Sequence, residues 1–378
     1  MSARLAPLLS RPAPDEEAIR AFLRSHEFPL VDGGDVTFVY RGPGDAIHLR
    51  HWIYALPSSQ PFHRVPDTDL WHVTLALPSH SRIEYKIERV IGDLHELILD
   101  PLNPRTARDP FGVNSVCHGA GYETPDWTQL DHEARPGSFE DVLVHSRELG
   151  GPCAVRVYLP GRFRRRRRYP LLVVHDGRDY LQYAALRTVL DNLIHRLEVA
   201  PLIVALTQSA DRLVEYAADP RHARFLKDEL VPLLEAEYPL IPRGSARGLM
   251  GASFGAVAAL SAAWYHPGFF GRLLLQSGSF AFSDIGQQRR GPAFDRVAEF
   301  VNGFRERPGR PVERIFASCG IYESLIYENR SLVPLLQASG MDVRYVEARD
   351  GHNWENWRDR LREGLSWLFP GPLWMVYE

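Results

Sequence analysis

Apolar and polar positions change their rhythm near residue 140. Before it, between residues 35 and 120, short runs alternate or half-alternate: Val36-Thr37-Phe38-Val39-Tyr40, Ala46-Ile47-His48-Leu49-Arg50, Trp71-His72-Val73-Thr74-Leu75 and Ile83-Glu84-Tyr85-Lys86-Ile87. A period of two suits strands with one wet face. Turn-rich pieces such as Gly42-Pro43-Gly44 and Pro78-Ser79 separate the runs, so this part predicts a small β-sandwich. One helix is predicted ahead of it, where Pro14-Asp15-Glu16-Glu17 leads into Ala18-Ile19-Arg20-Ala21-Phe22-Leu23. Turn residues dominate again over 100–114 and return at Pro125, Asp126, Pro136 and Gly137, which places a domain boundary near 140.

Beyond that point strands alternate with helices. Residues 155–159, 171–174 and 202–206 read as strands, the last two apolar enough to be buried on both faces. Helical periods cover 184–198, with Leu186, Leu190, Leu193 and Ile194 on one side, and 223–236. A strand ending near Gly251, a small-residue helix over 254–263, strands at 272–275 and 314–317, a helix at 332–338, a strand at 343–346 and a helix carrying Trp357, Leu361 and Leu365 complete the series. The alternation predicts a mainly parallel sheet with helices on both faces.

Within it, Gly251-Ala252-Ser253-Phe254-Gly255 matches G-x-S-x-G. A nucleophile elbow needs a strand to turn sharply at serine and enter a helix at once, with glycines where strand and helix approach. The flanks fit, since 247–250 suits a strand and 256–263 a closely packed helix. Ser253 is therefore the candidate nucleophile of an α/β-hydrolase domain, and the Phe254 amide a candidate oxyanion donor. His352, in Asp350-Gly351-His352-Asn353-Trp354 just past the last predicted strand, is the candidate base. His266, after the nucleophile helix, suits turn and packing roles better. Glu323 follows the strand at 314–317 and is the candidate acid; Asp350, Asp295 and Glu328 are the alternatives. The polar loop after 171–174, His175-Asp176-Gly177-Arg178, offers a second oxyanion donor at Gly177 or Arg178.

Composition narrows the partners. A chain of 378 residues exceeds what one core usually organises. With 45% hydrophobic and 24% charged residues it falls in the soluble globular range. A formal net charge of −3 gives no basic field for nucleic acid. Apolar stretches such as 171–174 and 257–260 fall far short of the roughly 20 residues a membrane span needs. The opening Met1-Ser2-Ala3-Arg4-Leu5-Ala6-Pro7-Leu8-Leu9 turns polar at Ser10, Arg11 and Pro12, too soon for a secretory segment, so a cytoplasmic protein is expected. Cys117, Cys153 and Cys319 form no metal-ligand pattern and read as reduced thiols, with no metal or cofactor expected.

Through residues 171–177, 212–216, 225–232, 251–255, 276–279, 319–323 and 351–357 the catalytic half resembles the Putative esterase family, which includes enterochelin and feruloyl esterases. Around Trp71, Glu84-Tyr85-Lys86, Asp100-Pro101 and Asn103-Pro104 the amino half resembles the amino-terminal β-sandwich of enterochelin esterases. The resemblance implies an immunoglobulin-like β-sandwich with an irregular linker over 1–140 and an α/β-hydrolase catalytic domain over 141–378. It also implies Ser253 as nucleophile, His352 as base, Glu323 in the place of the acid, and Gly177 and Arg178 in the oxyanion loop. Arg212 and Glu215 are implied as an ion pair shaping the mouth or as substrate contacts. The sequence departs from the common Gly-His-Asp pattern, because Asn353 follows His352.

Enterochelin-like substrates are catecholate trilactones holding ferric iron, so the resemblance implies hydrolysis of a siderophore ester, with the iron part of the substrate. Arg178 would then attract an anionic catecholate, and Trp71 or Trp354 would suit an aromatic substrate, each with core packing as the alternative. The run 164–168 of five arginines reads as a solvated loop. A general acyl or feruloyl-type esterase is the second reading, and a noncatalytic binding protein on an esterase scaffold the third. Oligomeric state is open.

Overall fold

The computed structural model describes residues 4–10, 14–286 and 290–372. Residues 1–3, Arg11 and Pro12 of the opening stretch lie outside the described residues. Contacts gather the chain into two units: Met1–Thr124 with the short returns Gly320–Glu323 and Ala348–Asn353, and Pro125–Cys319 with Ser324–Glu347 and Trp354–Glu378.

The first unit holds two antiparallel sheets. One has the order Leu30–Asp32, Asp35–Arg41, Leu70–Ala76, His63–Arg64. The other runs Ser59–Pro61, Ala46–His51, Arg82–Ile91, Gly112–His118, Thr106–Asp109, with Leu94–Ile98 also paired to Arg82–Ile91. Alternation is visible in Ala46–His51, where Ile47, Leu49 and His51 are buried and their neighbours are less so. Val36, Phe38 and Tyr40 of the first sheet share a core with Ile47, Leu49, Ile83, Tyr85 and Ile87 of the second. Asp35–Arg41 nonetheless has five consecutive buried residues. The helix Glu16–Ser25 explains this, because its Ile19 and Phe22 cluster with Val39 and Leu70 on the outer side. That helix begins as the sequence predicts, with Asp15 Oδ1 accepting the Ala18 N–H at 2.7 Å. The turn-rich stretch after Asp100 contains an unpredicted hairpin, Thr106–Asp109 against Gly112–His118, so its turn residues mark a reversal inside the sheet. Tyr322, on the first short return, joins the sandwich core.

The second unit is built on eight strands, numbered in chain order: β1 Ser138–Ser146, β2 Gly151–Leu159, β3 Leu171–Val174, β4 Ile203–Leu206, β5 Arg247–Ala252, β6 Arg272–Gln276, β7 Arg314–Gly320 and β8 Asp342–Ala348. They lie in the order β1-β2-β4-β3-β5-β6-β7-β8. β2 is antiparallel to β1 and β4, and pairing from β4 through β3, β5 and β6 to β7 is parallel. This is the α/β-hydrolase arrangement. β3, β4 and β5 are buried at every position, as strands covered on both faces must be. Helices Phe254–Tyr265 and Ala293–Glu306 pack into one apolar cluster, and Leu186–His195 and Leu361–Leu368 into another. β1 is unpredicted, since its edge position leaves residues such as Leu143 exposed and blurs the strand pattern. No helix among the described residues is long and apolar enough to cross a membrane.

Candidate active site

Ser253 is the single residue between the end of β5 and the start of the helix Phe254–Tyr265. Its backbone sits at φ 56°, ψ −120°, a conformation that residues other than glycine rarely adopt. Surrounding bonds hold it there: Ser253 N–H donates to Gln276 O at 2.9 Å, and Ser253 O accepts from Ser279 N–H at 3.2 Å. Gly251 is required by the same turn, because a Cβ there would stand 2.3 Å from the backbone of Gly255. Ser253 Oγ lies 3.0 Å from Ser279 Oγ. The sequence alone gives Ser279 no role, although it closes the stretch Gln276-Ser277-Gly278-Ser279 through which the family resemblance runs.

After β3 the chain turns through Asp176, whose φ of 54° and ψ of 39° start the helix Gly177–Tyr183. A Cβ at Gly177 would lie 2.5 Å from Leu206 Cβ, so only glycine fits. Gly177 N–H donates to Thr207 O at 2.8 Å. The amides of Arg178 and Phe254, each in the first turn of a helix, donate to no backbone acceptor among the described residues. The Arg178 side chain is exposed.

Arg212 ties these two turns together. Its Nε donates to Asp176 Oδ2 at 2.9 Å and its Nη2 to Ala252 O at 3.2 Å. Its guanidinium lies 5.8 Å from the ring centres of both Tyr216 and Phe254. The expected pair with Glu215 is therefore corrected: Glu215 Oε1 instead accepts Asp211 N–H at 3.4 Å within its own turn. The physical reason is burial, since the Asp176 carboxyl is 3% exposed and needs a counter-charge more than a partly solvated glutamate does. Burial pushes the Asp176 carboxyl up and Arg212 pulls against it.

Beside Asp176, His175 is fully buried, its Nδ1 3.0 Å from Met250 O. Burial holds it down at about 4. Its Nε2 has no hydrogen-bond partner among the described residues, which suits a neutral ring with Nδ1 as the donor.

Glu323 and His352 lie on the two short returns of the first unit. Glu323 Oε1 accepts the Gly320 N–H at 2.6 Å, and Oε2 lies 2.6 Å from His352 Nδ1. With Nδ1 donating to the carboxylate, Nε2 carries the ring's basic lone pair. The acid candidates separate clearly. Asp350 pairs with Arg82, and burial outweighs that arginine to push its carboxyl up to about 7. Glu328 is buried against Arg290, and Asp295 lies in the first turn of Ala293–Glu306. His266 stands at the end of the helix Phe254–Tyr265.

The two tryptophans differ. Trp71 is 5% exposed in the core of the first unit, with Nε1 donating to Gly42 O at 3.2 Å; this is a packing position. Trp354 is half-buried in the second unit, with ring centres 5.2 Å from Tyr180, 5.8 Å from Tyr183 and 4.8 Å from Trp357. Behind that aromatic group, Tyr180 Oη donates to Gln276 Oε1 at 2.8 Å, and Trp357 Nε1 to Ser277 Oγ at 2.9 Å.

Residues 146–368, more than half of the chain, match the family described as Putative esterase. The chain belongs to the Putative esterase family. By that domain it is a serine esterase. It is 26% identical to the iron(III) enterobactin esterase of Escherichia coli K12 over 367 residues, covering 88% of this chain and 90% of that protein. It is 22% identical to the iron(III) salmochelin esterase of Escherichia coli O6:H1, covering 89% of this chain and 88% of that one. The crystal structure of the Shigella flexneri enterobactin esterase, determined in the presence of enterobactin, superposes with a TM-score of 0.73 at 22% identity, covering 92% of this chain and 97% of that chain. That likeness establishes the shared fold of both units.

Proposed function

We propose that the chain hydrolyses the ester bonds of catecholate siderophore trilactones through an acyl intermediate on Ser253. In this reading His352 takes the Ser253 Oγ proton on Nε2 as the hydroxyl attacks the ester carbonyl, while Glu323 fixes the ring at Nδ1 and stabilises its charged form. The developing oxyanion is met by the amides of Phe254 and Arg178. Of the two donors considered in the second loop, Arg178 is favoured because the Gly177 N–H already serves Thr207. The imidazolium gives its proton to the leaving alcohol, and the neutral ring then takes one from water as the water oxygen attacks the acyl carbonyl. When the acyl bond to Ser253 Oγ breaks, the ring returns that proton to Oγ, leaving a carboxylic acid and free Ser253.

The substrate class rests on one observation: similarity to esterases named for iron(III) enterobactin and iron(III) salmochelin runs through the sandwich as well as the hydrolase domain. The exposed Arg178 guanidinium suits an anionic catecholate, and the half-buried Trp354 with Tyr183 offers it an aromatic face. Ferric iron travels as part of the substrate, ligated by catecholates.

The test is a substrate panel of apo and ferric catecholate trilactones beside aryl and carbohydrate esters, with products resolved by chromatography. Stepwise opening of the trilactone is expected. Negligible trilactone cleavage alongside efficient turnover of another ester overturns the substrate class. A fluorophosphonate should label Ser253, and Ser253→Ala and His352→Ala should each abolish labelling; an unlabelled Ser253 in folded protein overturns the mechanism.

A further inference from the structure

We propose that Arg82, on a strand of the amino-terminal sandwich, is a positioning residue for His352, acting through Asp350 and Asn353, so that the sandwich holds the base in register. The proposal rests on His352 being the base of the reading above.

Arg82 is completely buried at the start of the strand Arg82–Ile91. A guanidinium out of water is costly, and hydrogen bonds to its donors offset that cost. Here Nη1 donates to Asn353 Oδ1 at 3.0 Å and to Asp350 Oδ1 at 3.3 Å, and Nη2 donates to Glu84 Oε1 at 3.1 Å. Asn114 Nδ2, from the neighbouring strand, donates to the other Glu84 oxygen at 2.8 Å and fixes that carboxylate in turn. The Arg82 main-chain N–H donates to Arg349 O at 2.9 Å. One strand residue thus holds the loop at three points, Arg349, Asp350 and Asn353, that bracket His352.

The loop closes on the same carboxylate. Asp350 Oδ1 accepts the Gly351 N–H and the Asn353 Nδ2, each at 2.7 Å. Both chain neighbours of His352 are therefore tied to Asp350, and Asp350 to Arg82. His352 itself is 37% exposed, so packing alone would leave its ring considerable freedom. The departure from Gly-His-Asp gains a physical reason here: Asn353 is both acceptor and donor, accepting from Arg82 through Oδ1 and donating to Asp350 through Nδ2. An aspartate would be a third carboxylate about one guanidinium.

The adjacent residue does the same for the acid. Ser81 Oγ lies 2.6 Å from Tyr322 Oη, and Tyr322 N–H donates to Asp350 O at 3.1 Å. Tyr322 O in turn accepts the Tyr54 N–H at 2.8 Å. Consecutive sandwich residues, Ser81 and Arg82, grip the loops of Glu323 and His352, and those loops are joined main chain to main chain. This gives the amino-terminal domain a role in turnover that requires no contact with substrate.

Asn353→Ala, Arg82→Met and Arg82→Lys in the full chain provide the test, read by steady-state hydrolysis of an aryl ester and by the rate of fluorophosphonate labelling. Misplacing a base by a fraction of its reach lowers kcat, so Asn353→Ala should lose about tenfold and Arg82→Met up to about a hundredfold, with KM within about twofold of wild type. Arg82→Lys should recover part of the loss, keeping the charge without the fork. Labelling should slow in parallel. A folded Asn353→Ala with wild-type kcat and labelling overturns the proposal, as does a rise in KM at unchanged kcat. If Arg82→Met fails to fold, Asn353→Ala decides alone. Loss of turnover in His352→Ala with none in Asn353→Ala refutes this inference only. Full turnover in His352→Ala refutes the reading beneath it.

Discussion

His352 Nδ1 and Glu323 Oε2 stand 2.6 Å apart although the two residues are 29 positions apart in the chain. The carboxylate is 2% exposed and its other oxygen is taken by the Gly320 N–H, so its geometry is set before the imidazole arrives. This is the arrangement that fixes a tautomer.

Glu323→Gln should therefore leave the fold intact and lower kcat by about 10³- to 10⁴-fold, because an amide can present a donor where Nδ1–H needs an acceptor. Steady-state kinetics of the purified variant, with circular dichroism for folding, check this. Activity within about twofold of wild type would remove Glu323 from the mechanism.

Ser279 Oγ is the hydroxyl that faces Ser253 Oγ, at 3.0 Å. Losing one such hydrogen bond is worth about 1 kcal/mol. Ser279→Ala should lower kcat by roughly fivefold with KM unchanged, and slow fluorophosphonate labelling equally. Faster labelling in the variant would mean that Ser279 restrains the nucleophile instead of aligning it.

Gly251→Ala drives a methyl group to 2.3 Å from the Gly255 backbone. Backbone cannot give way as a flexible side chain does, so destabilisation of about 3 kcal/mol or more is expected, with loss of labelling. Chemical denaturation measures it. A variant as stable as wild type would show that the elbow relaxes freely.

Stability at mild acidity should depend on His175. Its folded value of about 4 lies below the ordinary 6.5, because burial disfavours the charged ring. Above 6.5 both folded and unfolded chains hold it neutral and its contribution is complete. As pH falls from 6.5 toward 4 the unfolded chain gains a proton that the folded chain refuses, and about 3 kcal/mol is lost. Asp350 runs the other way: its carboxyl, raised to about 7, contributes at acid pH and loses that contribution as pH rises through 7. Comparing wild type with His175→Asn isolates the histidine. The variant, which keeps a donor for Met250 O, should show a shallower decline between pH 6.5 and 4 in urea unfolding; equal slopes would contradict the assignment.

The parts of the site that were legible are those made by neighbours in the chain. Ser253 could be read because an elbow is a local object: glycine, serine and glycine between an apolar strand and a small-residue helix. Gly177 was singled out for its position after a buried strand, but its amide bonds Thr207, thirty residues on, and no local pattern announces that. For Arg212 the chain offers a pair with the nearby Glu215 or a substrate contact, whereas the carboxylate it meets is Asp176, 36 positions earlier. Trp71 carried two meanings in the sequence, and its 5% exposure selects packing. Arg82 carried none, standing just ahead of the expected strand 83–87, and its partner Asp350 lies 268 positions away.

Periodicity, turn residues and the elbow determined that this chain has a strand-rich amino half and an alternating second half with a serine at a strand-to-helix turn. Those features arise from backbone geometry over a few residues, which any local stretch of sequence carries with it. Which carboxylate is paired, which amide is already bonded and which arginine is sealed from water were decided only by the tertiary structure. Each depends on register and burial between segments far apart in the chain. A charged group takes the partner that relieves its desolvation, wherever folding brings that partner.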